Sequence, residues 1–264
     1  MEKPKHLGFS LIGMLVSLVC IMVISSIMMS SMNKTVTGNG EATSGSVWGM
    51  QNQIQLQTLV QGLTADSFGR NDQFLIPSVL SESLDISENT SANFWSALIA
   101  QNLANPEKLI AKGDNGWVEE ANYDWRAVNS QSGQYWDPNF STDFNEMSNV
   151  SYAHMPLYGE RLKRWWRNDA RGIFPIIGNR GPLNGQVQTD SFTLDKDGQW
   201  RGWVCYSDGS IKWYEETNAP IKWSRSDDVN SDNLFILEGG DNKDDAILGV
   251  TSAMDEDGPT FIWD

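Results

Sequence analysis

The chain has 264 residues, of which 40% are hydrophobic and 20% are charged, and its formal net charge is −15. This length and composition indicate a globular protein with a sizeable core rather than a disordered chain. The negative charge argues against a protein that coats nucleic acid or adheres to anionic lipids, because its long-range field repels both, so we expect no nucleic-acid partner.

The N-terminus consists of a short basic segment followed by a long apolar run. Lys3 and Lys5 lie in the basic segment, and no side chain from Phe9 to Asn33 carries a charge. A helix of this length, at about 1.5 Å per residue, crosses a hydrocarbon core of about 30 Å. We therefore predict a single transmembrane helix with the basic flank in the cytoplasm and the head outside it. No small-x-small cleavage site follows the run, so we expect it to stay attached.

The junction between the two segments, Gly8-Phe9-Ser10-Leu11-Ile12, resembles the processing site of type IV prepilins and type II secretion pseudopilins. The resemblance implies that prepilin peptidase cuts after Gly8 and methylates the new N-terminal Phe9. It also implies a bacterial inner-membrane precursor that becomes a periplasmic or cell-surface filament subunit. The implied partners are other pilin-like subunits, prepilin peptidase and an inner-membrane assembly platform. A simple signal anchor with a chance Gly-Phe pair is the alternative.

One position departs from the pattern of the family. Pilin-like proteins usually carry glutamate at the fifth mature position, where this chain has Gly13. In the family that carboxylate pairs with the N-terminal amine of a neighbouring subunit, and a buried charge without a partner is costly. The resemblance therefore implies a minor or tip subunit, while a major subunit that satisfies its amine differently stays open. The residues assigned to the filament and membrane helix are Phe9, Leu11, Ile12, Gly13 and Leu15.

Four regions are predicted along the chain: a prepilin leader at 1–8, a transmembrane or filament-core helix at 9–33, a flexible neck at 34–46 and a globular pilin-like head at 47–264. The neck is rich in Gly, Ser and Thr, which break a helix. Apolar residues at helical spacing predict a helix from Val47 onward. A second, short helix is predicted from Phe94 to near Asn105-Pro106.

The segment 158–171 is the one basic island of the head. Its apolar and cationic residues fall on opposite sides of a helical wheel, which predicts an amphipathic helix. The cations either neutralise an acidic head or form a site for an anion or for the acidic surface of a neighbour. The apolar side consists of Tyr158, Leu162, Trp165 and Trp166, and the cationic side of Arg164, Arg167 and Arg171.

The C-terminal third alternates strand-forming segments with turns. Asp208-Gly209 separates two such segments and predicts a β-hairpin, because both residues tolerate positive φ. Further strands are predicted at 173–177, 234–237, 246–250 and 260–263. We therefore predict an α+β, pilin-like fold with a long N-terminal helix, membrane-spanning in its first half, packed on a C-terminal antiparallel sheet. The hairpin also resembles the C-terminal Asp-Gly motif of large prepilin-like proteins of planctomycete-type bacteria.

Little in the sequence indicates catalysis or a cofactor. After the leader the chain has one histidine, His154, no Gly-x-Ser-x-Gly elbow and no glycine-rich phosphate loop, so we expect no enzyme. Oxygen-rich loops could hold calcium, with ordinary solvated turns as the alternative. Cys20 and Cys205 are expected to be free thiols, because a bridge would join the apolar run to the head. The calcium candidates are Asp195, Asp197, Asp241, Asp244, Asp255 and Asp257.

A second function from a different class is also compatible with the sequence. The chain has 12 tryptophans, which we expect chiefly in the core. A monomeric, membrane-anchored surface protein that uses a tryptophan-rich head to bind a glycan or a peptide would share this composition. Such a protein would keep Met1 or be cut elsewhere, whereas a filament subunit would start at Phe9.

Overall fold

A computed structural model of the chain describes residues 47–114, 117–168, 174–182, 199–222, 229–237 and 246–263. Its helices are α1 at Val47–Ser67, α2 at Pro77–Leu80 and α3 at Ser91–Ala100. Short 3-10 helices lie at Ile86–Glu88, Pro106–Leu109 and Ser130–Ser132, and one π-helical turn lies at Arg161–Trp165.

All strand pairs in these residues are antiparallel and join strands that follow each other in the chain. The strands are β1 Thr142–Asp143, β2 Met147–Ser148, β3 Tyr152–His154, β4 Pro175–Asn179, β5 Gly202–Tyr206, β6 Ile211–Tyr214, β7 Asn218–Lys222, β8 Val229–Asn233, β9 Val250–Asp255 and β10 Gly258–Ile262. They form one four-stranded sheet, in the order β3-β4-β5-β6, and three two-stranded sheets, β1-β2, β7-β8 and β9-β10.

Helix α1 packs against the four-stranded sheet through a buried apolar stripe and a few polar contacts. Its only charged residue is Asp66, so the stripe rather than charge pairing decides which side turns inward. Trp203 of β5 donates from Nε1 to the carbonyl of Gly49 at 2.9 Å, and the Tyr152 hydroxyl donates to Gln55 Oε1 at 2.8 Å. The buried stripe consists of Leu56, Leu59, Val60 and Leu63.

The central sheet is buried on both faces because two apolar clusters lie against it. Successive residues of β5 alternate between them: Trp203 and Cys205 belong to the cluster that contains α1 and α3, whereas Val204 and Tyr206 belong to the other. Alternation of side chains along a strand produces this division. All five residues of β5 are consequently buried.

The predicted fold class is wrong. The described chain consists mostly of small antiparallel sheets with few short helices, instead of a long N-terminal helix on one C-terminal sheet. Helix α1 has 21 residues but is largely polar, with five glutamines among its residues besides an asparagine. The strands pair with their chain neighbours and so separate into several sheets, whereas strand propensity in the sequence carries no information on which strands share a sheet.

The predicted single-pass anchoring in an inner membrane is also corrected. Among the helices that the structure describes, none has both the length and the apolar character needed to cross a membrane. The prediction relied on residues 9–33, which lie outside the described residues. The leader at 1–8 and the neck at 34–46 lie outside them as well.

Several local predictions agree with the structure and others do not. A helix begins at Val47, as predicted, whereas α3 ends at Ala100, short of the predicted end near Asn105-Pro106. The segment 234–237 is a turn after β8 instead of a strand, because Asn233 Oδ1 accepts a hydrogen bond from the Phe235 amide at 3.0 Å and bends the chain there. The segment 246–250 enters a strand only at its last residue, where β9 begins.

Candidate functional site

The Asp208-Gly209 hairpin joins β5 to β6. Gly209 has a φ of +79°, in the left-handed region that glycine reaches without strain. The Asp208 Oδ1 atom accepts hydrogen bonds from the Ser210 amide at 2.9 Å and from the Ser210 hydroxyl at 2.6 Å, which holds the turn. The predicted hairpin is therefore present, while its assignment as a family motif stays a prediction.

A buried Ser91–His154 pair lies between α3 and β3. The two atoms, Ser91 Oγ and His154 Nε2, are 2.7 Å apart, and His154 Nδ1 lies 2.7 Å from the Met155 carbonyl oxygen. Because a carbonyl can only accept, Nδ1 carries the proton and Nε2 accepts from the serine hydroxyl. The Thr251 amide donates to Ser91 Oγ at 2.8 Å, so the serine hydroxyl both donates and accepts a hydrogen bond.

Aromatic rings enclose this histidine. The ring centroids of Phe94, Trp95 and Trp166 lie 4.5, 5.9 and 6.0 Å from that of His154. Burial lowers the pKa of His154 to about 4, because it disfavours the charged imidazolium, and the Met155 carbonyl only partly opposes this effect. Ser91 and His154 are both 0% exposed. The pair has the spacing of a nucleophile and a base, but both side chains are fully buried and held by hydrogen bonds within the core.

A basic cleft lies between the turn that follows α1 and the segment that follows the π-helical turn. Its volume is about 310 Å³. Three cationic residues, two amide residues and one tryptophan line it. These are Arg70, Lys163, Arg167, Asn71, Gln73 and Trp166.

Backbone hydrogen bonds tie the two walls of the basic cleft together. The Asn168 amide donates to the Asp72 carbonyl at 2.8 Å, and the Phe74 amide donates to the Trp166 carbonyl at 3.4 Å. Trp166 is 0% exposed, and its Nε1 donates to the Leu75 carbonyl at 2.9 Å. The two segments are 91 residues apart in sequence at that contact, so only the tertiary fold brings the cleft residues together.

The loop that contributes Asn71 and Gln73 to the cleft contains two successive residues in an unfavourable backbone conformation. Asn71 and Asp72 have φ values of +55° and +62°. Each left-handed residue that is not glycine costs on the order of 1 kcal/mol, least for Asn and Asp. The turn holds this conformation through the Asp72 amide, which donates to the Ser67 carbonyl at 2.9 Å, and through Arg167 Nη2, which donates to the Asn71 carbonyl at 3.2 Å.

The predicted amphipathic helix over 158–171 is wrong. The chain forms the single π-helical turn Arg161–Trp165 and then extends, because the residue at 167 bridges to Gln73 as a short antiparallel pair. This bridge requires an extended backbone and ends the helical turn. Arg164 pairs with Glu160 at 2.7 Å and does not line the cleft. Arg171 lies outside the described residues.

No calcium site is formed by the candidates that can be assessed. Asp255 Oδ1 accepts hydrogen bonds from the amides of Asp257 at 2.9 Å and Gly258 at 3.1 Å, and so caps the β9–β10 turn. In the part of the chain that the structure describes, no group of three His, Cys, Asp or Glu residues is placed to hold a metal. The candidates Asp195, Asp197, Asp241 and Asp244 lie outside that part.

Cys205 is a free thiol in the first apolar cluster. Burial raises the pKa of the Cys205 thiol, because the thiolate would lose its hydration. The second cysteine, Cys20, lies outside the described residues. The processing residues Gly8 and Phe9 and the predicted helix residues Leu11, Ile12, Gly13 and Leu15 lie outside them too.

Five of the eleven tryptophans in the described residues are buried and three more pack against the apolar clusters, while Trp48, Trp117 and Trp125 are exposed, the last two most of all. Trp117 is 66% exposed and Trp125 is 52% exposed. The Trp125 ring meets the Tyr123 ring edge to face, with 4.9 Å between the centroids. Trp117 and Trp125 both lie in the long irregular region that precedes β1.

Comparison of the chain with protein-family models, with curated proteins and with solved structures gives no match.

Proposed function

We propose that this chain is a structural subunit of a type IV pilus-like or type II secretion pseudopilus filament, processed by prepilin peptidase after Gly8. The observation that carries the proposal is the junction Gly8-Phe9-Ser10-Leu11-Ile12 between a basic leader and a run of uncharged residues. Its partners are other pilin-like subunits and the peptidase. A cut after Gly8 removes the leader and leaves the apolar run whole.

Non-enzymatic action is part of the proposal. A filament subunit works by polymerising and needs no catalytic centre. The one serine–histidine pair that the described residues bring into hydrogen-bond contact is fully buried and hydrogen-bonded on both sides.

Gly13 refines the proposal to a minor or tip subunit. In the middle of a filament, the amine of Phe9 would be buried among apolar helices without the usual carboxylate, at a cost on the order of several kcal/mol. A subunit at the tip has no neighbour above it that needs such a pair. We therefore expect low copy number beside a separate major subunit that carries the glutamate.

Immunogold imaging of filaments sheared from cells, with an antibody against the head, tests the assembly. Label at one end of the filaments is the expected result. Continuous label along the length would contradict the tip assignment and make this chain the major subunit. Filaments that carry no label, from cells that contain the protein, would contradict the filament proposal itself.

The exposed rings of Trp117 and Trp125 favour a second candidate, a monomeric protein whose head binds a glycan or a peptide. Exposed aromatic rings stack on sugar faces and anchor peptides. Glycan-array binding that Trp117→Ala and Trp125→Ala abolish would favour this candidate. The exposed Leu84 provides the matched control, because Leu84→Ala removes an apolar side chain that is 72% exposed elsewhere on the surface.

A further inference from the structure

We propose that the basic cleft is a binding site for a small oxyanion with at least two negative charges, namely phosphate, a phosphate monoester or a dicarboxylate. The cleft is the space of about 310 Å³ lined by Arg70, Lys163, Arg167, Asn71, Gln73 and Trp166. This inference does not depend on the filament function, because it rests on the described head alone.

The basic cleft concentrates positive charge. The whole chain has 19 basic residues against 34 acidic ones, yet three basic side chains from two distant segments line one cavity. Like charges at short distance repel each other, so their convergence needs a compensating partner. Internal carboxylates compensate only part of it: Asp66 lies 2.7 Å from Arg70 Nε, and Glu160 lies 3.8 Å from Lys163 Nζ.

The basic cleft contains hydrogen-bond donors that can serve a ligand. Asp66 engages only the Nε atom of Arg70, which leaves its two terminal nitrogens for a ligand. Arg167 uses Nη2 on the Asn71 carbonyl and forms no ion pair within the described residues. The Asn71 and Gln73 side chains make no hydrogen bond in that same part of the chain. Guanidinium groups with amide donors beside them match the oxygens of a phosphate or carboxylate group.

The walls of the basic cleft are held in place before any ligand binds. The Asp66 carboxylate orients Arg70 one helical turn away, and the backbone hydrogen bonds between residues 72–75 and 166–168 fix the spacing of the walls. The left-handed residues Asn71 and Asp72 keep a strained conformation in the loop that supplies Asn71 and Gln73 to the lining. Strain that the surrounding structure holds in place occurs preferentially at binding sites. A cleft built in this way loses little conformational freedom when an anion enters.

The size of the cleft and the charge of the chain select a small anion over a polymer. A volume of about 310 Å³ is at the lower end of the range for small-molecule sites. The net charge of −15 repels nucleic acid and anionic lipid surfaces at long range. A small anion crosses that field at much lower cost and meets the cations directly.

Isothermal titration calorimetry of the full chain with sodium phosphate tests the inference. O-phosphoserine and succinate form the other arms, and sodium chloride at matched ionic strength is the reference. We expect saturable binding of one anion per chain and a higher Tm in its presence. Arg167→Gln and Lys163→Gln should each weaken Kd about tenfold, the loss of one charge-assisted hydrogen bond.

Arg164→Gln is the matched control. It removes the same charge from the same segment, but Arg164 lies outside the cleft lining, and its partner Glu160 also lies 3.8 Å from Lys163, so Kd should weaken by much less than tenfold. The Lys163 side chain is 70% exposed, so Lys163→Gln tests the site even where Arg167→Gln disturbs the fold.

Binding of phosphate and O-phosphoserine but not of succinate would support a phosphoryl ligand, and the reverse would support a dicarboxylate. The inference is overturned by an absence of saturable binding in all three arms. A Tm shift that sodium chloride reproduces, or equal weakening by Arg164→Gln, would overturn it as well.

Discussion

His154 illustrates how one residue can have the right chemistry for catalysis and a structural role. Its Nε2 accepts from Ser91 and its Nδ1 donates to the Met155 carbonyl, so both nitrogens are satisfied only in the neutral ring. Three aromatic rings exclude water around it. A proton on Nε2 would break the hydrogen bond from Ser91 and bury a charge.

The protein should therefore lose stability on acidification through this residue. The pKa of His154 is about 4 in the folded chain and 6.5 as its usual value, so between these values the unfolded chain binds a proton that the folded chain does not. The contribution of His154 to the free energy of unfolding is fully present above about pH 6.5. It is lost, by roughly 3 kcal/mol in all, as the pH falls to about 4. Urea unfolding across this pH range measures the loss.

His154→Gln isolates the contribution, because glutamine does not titrate. The variant should be less stable at neutral pH, since the packing around the ring is lost, but its stability should depend less steeply on pH than that of the parent. Equal slopes for parent and variant would contradict the account of His154.

Sequence reasoning identified His154 only by counting, and could not pair it with Ser91. The two residues are 63 positions apart, and neither lies in a motif with fixed spacing. The same limit applies to the basic cleft. Arg167 and Lys163 stand out as a basic island, whereas Arg70 and Asn71 reach them only through the hydrogen bonds that join the two segments. Contacts between residues so far apart in the sequence leave no recognisable pattern in either segment.

At the scale of elements, α1 depends on a close approach to the chain that follows α3. A Cβ atom added at Gly62 would lie 2.9 Å from the carbonyl oxygen of Leu103. That oxygen belongs to the backbone, so it cannot move aside as a flexible side chain would. The glycine lets the helix approach this turn while α1 packs on the sheet.

Gly62→Ala should destabilise the protein by about 1–3 kcal/mol, as expected for overpacking, although alanine is the better helix former. Gly69→Ala is the matched control, because its Cβ would lie 3.5 Å from the Asp66 carbonyl oxygen, an ordinary contact. We expect the control to change stability by no more than about 0.5 kcal/mol. Stabilisation by Gly62→Ala in urea unfolding would contradict the proposed close approach.

The β5–β6 hairpin depends on backbone conformation at Gly209. A Cβ at this position would meet nothing within 4 Å, so a substitution tests the φ of +79° and not packing. Gly209→Asn should be tolerated, whereas Gly209→Val should cost about 1–2 kcal/mol, because β-branched residues avoid the left-handed region. Thermal unfolding of the two variants gives the comparison, and equal stability would argue against this explanation.

Turns and helices that depend on neighbouring residues could be predicted from the sequence, but the arrangement of these elements in the fold could not. The Asp208-Gly209 turn has its own signal in two residues, and helix α1 has one in the spacing of its apolar residues. The division of ten described strands into four sheets has no such signal, since each segment would suit one large sheet equally well. The helix predicted over 158–171 was not predictable as wrong for the same reason. The bridge from 167 to Gln73 that ends the helical turn is a tertiary contact.

At the scale of the whole molecule, the two proposals concern different parts of the chain. The oxyanion site belongs to the described head, whereas the filament function depends on the junction at Gly8 and Phe9. The proposals therefore stand or fall separately. The acidic head and its local basic cleft are compatible with either a filament subunit or a monomeric binding protein, so the N-terminus decides between the two.

Mass spectrometry of the N-terminal peptide of the native protein tests whether the chain is processed after Gly8. We expect a mature chain that lacks the first eight residues, starts at Phe9 and carries one extra methyl group on its amine. A Gly8→Val variant, with a larger side chain at the cut, should keep the leader and provides the control. A native chain that retains Met1, or that is cut at any other bond, would contradict the assignment as a processed filament subunit.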